Sequence, residues 1–240
     1  MHPAHRVLLK EIEKHAGKAA LDPFLDNYFG NKHPKHKIKS ATLRNIARTW
    51  IRANTDLTPE KLAIVLTSLM KGRSCTEKLL AGVILDSSRK EQRAIKPVYF
   101  DRWLNYLEGW VEIDTLCTGK YAANEVPAQW TAWKKQLNAF SRSSSISKRR
   151  ASLVLLCSPL RKHADKRLLD QALRTVDKLA PEKEVLITKA ISWVLRCAIP
   201  HFPGAVKKYL TLNKDRLPKI AVRETLTKLT TGTKTKRKSR

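Results

Sequence analysis

Acidic residues are scarce in this chain. Its 240 residues include 48 lysines and arginines against 21 aspartates and glutamates, a formal charge of +27. A surplus of that size usually faces a polyanion, and nucleic acid is the default partner. The C-terminal run Lys234, Lys236, Arg237, Lys238 and Arg240 supplies five of these charges, so the bias belongs mainly to the body of the chain. Long hydrophobic runs are also lacking. The longest apolar-leaning stretch, Leu62 to Met70, has nine residues and includes Thr67 and Ser68. It is too short and too polar to cross a bilayer, so no membrane partner is expected. The first dozen residues alternate in charge, unlike a signal peptide, and we expect a soluble, intracellular, cytoplasmic protein. Cysteines number four, Cys75, Cys117, Cys157 and Cys197, at spacings of 42, 40 and 40. No two are close enough for a zinc ribbon or a redox motif. A disulfide framework does not suit so large a reduced-compartment domain, and the thiols are expected to be small buried side chains at equivalent helix positions. The pair in His33-Pro34-Lys35-His36 makes a poor metal site, because the adjacent lysines repel a cation and no further ligands follow. Neither a metal nor another cofactor is expected.

A hydrophobic content of 42% excludes disorder throughout. Convincing strand alternation is absent, and nearly every segment reads as helix. Asp22-Pro23 and Thr58-Pro59 are N-cap and proline pairs, and Ser74-Cys75-Thr76-Glu77 fits a capping box. Leu43, Ile46, Ala47, Trp50 and Ile51 follow the period of a helix with one buried face. Treating Pro97, Pro127, Pro159, Pro181, Pro200, Pro203 and Pro218 as boundaries gives helices at 3–16, 22–29, 40–54, 59–71, 75–87, 97–108, 110–119, 127–140, 147–157, 164–179, 183–197, 203–213 and about 218–229. The expected fold is all-α, an α-solenoid of HEAT-like helical repeats with a concave groove; a globular all-α bundle is the competing reading. One repeat domain is expected over 1–230, followed by a disordered basic tail over 231–240 that has no apolar residue.

Trp110 and Asp114 are four residues apart, so on a helix ring and carboxylate share a face. An aromatic beside an acid is unusual in so basic a chain. Arg150 follows Trp110 by 40 residues, and Trp193 follows Arg150 by 43. With a repeat of about 40 residues these positions correspond in successive units and would line one concave wall. Arg44, Arg149, Arg150, Lys189 and Arg196 lie on helices that carry apolar runs, and His33, Lys35, His36, Lys37 and Lys39 add charge in a loop. Any one of these is readily explained as a solvated surface charge, and a helical tryptophan or a capping aspartate is equally ordinary. Residue pattern alone therefore leads to a basic helical-repeat binder of nucleic acid.

Trp110…Asp114, then Lys148-Arg149-Arg150-Ala151, then Ile187-Thr188-Lys189-Ala190-Ile191-Ser192-Trp193-Val194-Leu195-Arg196, resemble the AlkD-like DNA alkylation repair family of HEAT-like repeat DNA glycosylases. The Lys-Ala-Ile-x-Trp-x-Leu-Arg string is the most specific part, and the match runs from about residue 1 to about residue 229. The resemblance implies a catalytic face of Trp110, Asp114, Arg150 and Trp193, with Tyr28 near the DNA and Arg44 matching an arginine of the second helical unit. It also implies a monomeric, monofunctional enzyme of base excision repair that removes cationic 3-methyladenine and 7-methylguanine from duplex DNA. Tyr28, Lys39, Arg44, Arg149, Lys189 and Arg196 are the expected DNA contacts, and Arg150 would grip the backbone bidentately. Two positions depart from the pattern. Lys39 stands where some members carry glutamine, and Gly109 stands where an additional tryptophan can occur. Some relatives keep the fold without the activity, so the rival reading is a non-catalytic helical-repeat protein that grips structured DNA or RNA.

Overall fold

A computed structural model describes residues 1–235; the part of the expected tail at residues 236–240 lies outside the described residues. The described residues form two compact units that divide between Tyr121 and Ala122, inside the 1–230 span expected to be one repeat domain. The described residues contain no β-strand, only an isolated antiparallel bridge between Ala20 and Lys35. The helices are α1 (Pro3–Ala16), α2 (Pro23–Phe29), α3 (Ser40–Ala53), α4 (Pro59–Met70), α5 (Cys75–Ser87), α6 (Pro97–Trp103) and α7 (Gly109–Cys117), then α8 (Gly119–Ala128), α9 (Trp130–Phe140), α10 (Ile146–Val154), α11 (Cys157–Lys162), α12 (Lys166–Leu179), α13 (Val185–Ala198), α14 (Pro203–Asn213) and α15 (Lys219–Thr231).

In the first unit α5 packs along α3 on one side and α7 on the other, with α4 behind it and α6 against α4. Leu62, Leu66, Leu69, Leu80, Ile84, Phe100 and Trp103 are fully buried at this junction. Each such side chain contributes roughly 1.5–3 kcal/mol of transfer free energy. The starts of the helices are set locally. Asp22 Oδ1 accepts from Leu25 N–H at 3.1 Å and Thr58 Oγ1 from Lys61 N–H at 3.3 Å. Ser74 and Glu77 form the expected capping box, with Glu77 Oε2 accepting from Ser74 N–H at 2.8 Å and from its hydroxyl at 2.6 Å. Glu77 also ties α5 to α1, because His5 Nε2 lies 2.7 Å from its other oxygen.

The second unit repeats the arrangement around α13, which packs on α10, α11, α12 and α15. Here prolines mislead. Pro127 lies inside α8 and is not a boundary. Its missing N–H would have bonded the Ala123 carbonyl; His163 Nε2 reaches that oxygen at 2.8 Å instead. Pro159 lies in the first turn of α11, where the helix needs no donor. The segment read as one helix over 127–140 is therefore α9 preceded by the end of α8, and α10 and α11 divide at Leu155-Leu156. All four cysteines are buried, as expected, but not at equivalent places: Cys75 and Cys157 begin helices whereas Cys117 and Cys197 are near helix ends. Burial pushes the Cys75 thiol up to about 12. No helix among the described residues is long and apolar enough to cross a membrane.

Candidate functional site

α7 begins where α2 ends, and the approach is so close that only glycine fits. Gly109 has φ of +65°, and a Cβ on it would stand 2.0 Å from the Phe29 carbonyl oxygen and 2.7 Å from that of Gly30. A larger side chain, such as the additional tryptophan expected to occur here in some members of the family it resembles, has no space in this chain. Trp110 follows, half-buried, and its indole N–H donates to the Tyr28 carbonyl at 2.6 Å. Its ring meets Tyr28 edge-on at 5.5 Å and Phe29 edge-on at 5.7 Å between centroids. The first unit thus holds a preassembled aromatic cluster, with Tyr28 61% exposed.

Glu112, not anticipated as a site residue, fixes this corner. Its carboxylate is buried and accepts from Asn31 Nδ2 at 3.2 Å and from the Glu108 N–H at 2.9 Å, with His33 Nδ1 2.8 Å away. His33 is therefore the partner of an acid that supports α7. Lys35 pairs with Asp26 and lies 5.8 Å from the Phe29 ring centroid. No cluster of three His, Cys, Asp or Glu suited to a metal occurs among the described residues. An acid in the first turn of α7, two residues from an aromatic, was a visible signal for Glu112, but its side-chain partners Asn31 and His33 lie about 80 residues away and leave no local pattern.

Asp114 is half-buried one turn beyond Trp110, and its backbone oxygen accepts both the N–H (3.1 Å) and the hydroxyl (2.7 Å) of Thr118. Its neighbours Thr115 and Thr118 line a cleft of about 410 Å³ together with Arg44, Arg48, Asp86 and Lys120. Both arginines are exposed on α3. The cleft's acid is engaged, since Asp86 Oδ1 accepts the Lys120 N–H at 2.5 Å and caps α8. The cleft presents three cations beside the Asp114 turn; Arg48 and Lys120 were not anticipated. Lys39 is exposed at the N-cap position of α3, without a side-chain capping bond.

In the second unit Arg150 is buried, at 4% exposure, and its Nη1 donates to the Leu186 carbonyl at 2.5 Å in the first turn of α13. The guanidinium expected to grip the backbone is thus also a strut between α10 and α13. Trp193 is half-buried two turns further along α13, and Lys189 is exposed between them. Arg149 and Arg196 are each paired with an acid. Arg149 Nε pairs with Glu182 at 2.8 Å, and its Nη1 donates to the Ser143 and Ser144 carbonyls. Arg196 lies 3.4 Å from Glu224, which also accepts from the Ser192 hydroxyl at 2.6 Å and pairs with Lys234 at 3.3 Å. Burial works against the charge on Glu224, but these partners hold its carboxyl below the usual range. The structure gathers Trp110, Asp114, Tyr28 and Arg44 in the first unit and Arg150, Lys189 and Trp193 in the second.

Comparison with known proteins bears on the fold and the family. A solved structure, a predicted DNA alkylation repair enzyme from Enterococcus faecalis, superposes with a TM-score of 0.68 over 87% of this chain and 96% of its own, at 17% identity. No curated protein matches in sequence. The profile of the family described as DNA alkylation repair enzyme matches residues 8–229. The helical-repeat fold and this match over nearly the whole chain establish that the protein belongs to the DNA alkylation repair enzyme family.

Proposed function

We propose that the protein is a monomeric, monofunctional DNA glycosylase that excises positively charged alkylpurines of the 3-methyladenine and 7-methylguanine type from duplex DNA. The observation that carries this reading is the Trp110–Asp114 face, an indole locked by its N–H to Tyr28 with a carboxylate one turn away. A purine alkylated at N3 or N7 is cationic, which weakens its bond to C1′. When that bond breaks, its electron pair neutralises the base and positive charge develops on the sugar. The leaving group needs little protonation. A fixed carboxylate near C1′ stabilises the developing charge and accepts a proton from the water whose oxygen replaces the base. Asp114 takes this role. The Trp110 and Trp193 faces favour a cationic base by roughly 0.5–2 kcal/mol each. Arg150, held by Leu186, steadies the backbone at the lesion, and Tyr28, Lys39, Arg44 and Lys189 make further contacts to DNA. Arg149 and Arg196 join them only if their carboxylate partners release them. No cofactor enters the scheme.

The test is incubation of the full chain with methylated duplex DNA, followed by chromatography of the supernatant. Free methylpurine should appear with matching alkali-labile sites and no direct strand breaks. Tight duplex binding with no free base would return the protein to the binding-module reading.

A further inference from the structure

α2 buries none of its residues, yet it is firmly held. Its start is capped by Asp22, Gly30 N–H closes its end on the Asp26 carbonyl at 2.8 Å, and the Tyr28 carbonyl takes the Trp110 indole. On this fixed helix Phe24 and Tyr28 stand one turn apart, so both project from one face. They are 77% and 61% exposed, and Leu21 just before them is 65% exposed. Phe24 is the most exposed aromatic among the described residues. Isolated exposed side chains need no explanation, but a rigidly presented aromatic pair contiguous with a candidate site does.

The occupant is indicated by what adjoins the pair. Through Tyr28 the face continues into the edge-on cluster with Trp110. Lys32, exposed, shares a cleft with Leu21 and Pro23 beside it; of the two acids there, Asp26 is paired with Lys35, and Glu108 accepts from the Lys32 backbone N–H at 3.5 Å. Flat rings next to a cation on a chain of net charge +27 suit nucleotides, since bases stack on aromatic faces while phosphates meet lysine. We infer that Phe24 and Tyr28 form a stacking surface for nucleobases left without a partner or neighbour at the damaged step. This rests on the reading that the protein works on duplex DNA. It adds a contact, centred on Phe24, that is separate from the chemistry at Asp114.

The experiment uses the full chain, its Phe24→Ala and Phe24→Trp variants, and two duplexes carrying 2-aminopurine. One duplex is intact, and the other has the probe next to a stable abasic-site analogue. The wild type should change probe fluorescence in the abasic duplex. Phe24→Ala should abolish that change and weaken binding to the abasic duplex about fivefold or more, the lower end of one stacking contact. Its affinity for intact duplex and its melting temperature should be unaltered, and Phe24→Trp should restore the response. Equal fluorescence and affinity for wild type and Phe24→Ala would overturn the inference. So would a sedimentation change confined to Phe24→Ala without any DNA effect, which would assign the face to protein association. Methylpurine release is measured on the same preparations. No release with an intact probe response sinks the glycosylase reading alone, and normal release with no effect at Phe24 sinks the stacking surface alone.

Discussion

A methyl group at position 109 would overlap the Phe29 carbonyl oxygen, and the +65° φ there is costly for any residue with a Cβ. Gly109→Ala should therefore destabilise the protein by at least about 1–3 kcal/mol, read by urea unfolding. It should also slow base release, because it pushes α7 from α2 and loosens the Trp110–Tyr28 bond. The resemblance marked Gly109 as a departure from the family's pattern; the structure makes it a requirement of this packing. Other residue roles were legible only in part. Trp110 and Asp114 could be singled out because their spacing places them on one face. The occupation of Arg149 by Glu182 and of Arg196 by Glu224 could not, since those acids arrive from other helices.

Among the elements, the junction of α1 and α5 turns on one buried carboxylate. Burial opposes the charge on Glu77, but hydrogen bonds from His5 and Ser74 outweigh it and hold the carboxyl below the usual range. A depressed folded value means that the stabilisation is fully present above the ordinary glutamate value and disappears as pH falls through the depressed one. Glu77→Ala should cost about 3–5 kcal/mol at neutral pH, because it strands buried partners. The gap to the wild type should narrow in acid below the ordinary carboxylate range, as measured by melting temperature against pH. The cap residues of α2, α4 and α5 were legible because a cap is a local bargain between a side chain and the next turn. α8 was obscured because a proline reads as a break unless a distant partner, here His163, takes the orphaned carbonyl, and α11 because Pro159 sits inside its first turn rather than ahead of it.

For the whole molecule, the charge bias and all-helical pattern were legible from composition and period, whereas the division into two compact units left no linker-like composition at Tyr121. The bias should make binding to undamaged duplex fall steeply with salt, with a log–log slope of about −0.9 per neutralised phosphate. Deleting residues 236–240 should reduce that slope and leave base release intact. It spares Lys234, which braces Glu224. Loss of all DNA binding on this deletion would contradict a grip built on the folded body. The central claim, that Asp114 acts on charge developing at the sugar, is tested most directly by single-turnover release of a methylpurine from duplex DNA by Asp114→Asn and wild type at saturating protein. The variant keeps shape and loses charge. The account predicts unchanged or slightly tighter duplex binding with release slower by about 10²–10³. A variant that releases base at the wild-type rate per folded molecule, with only a lower melting temperature, would contradict it.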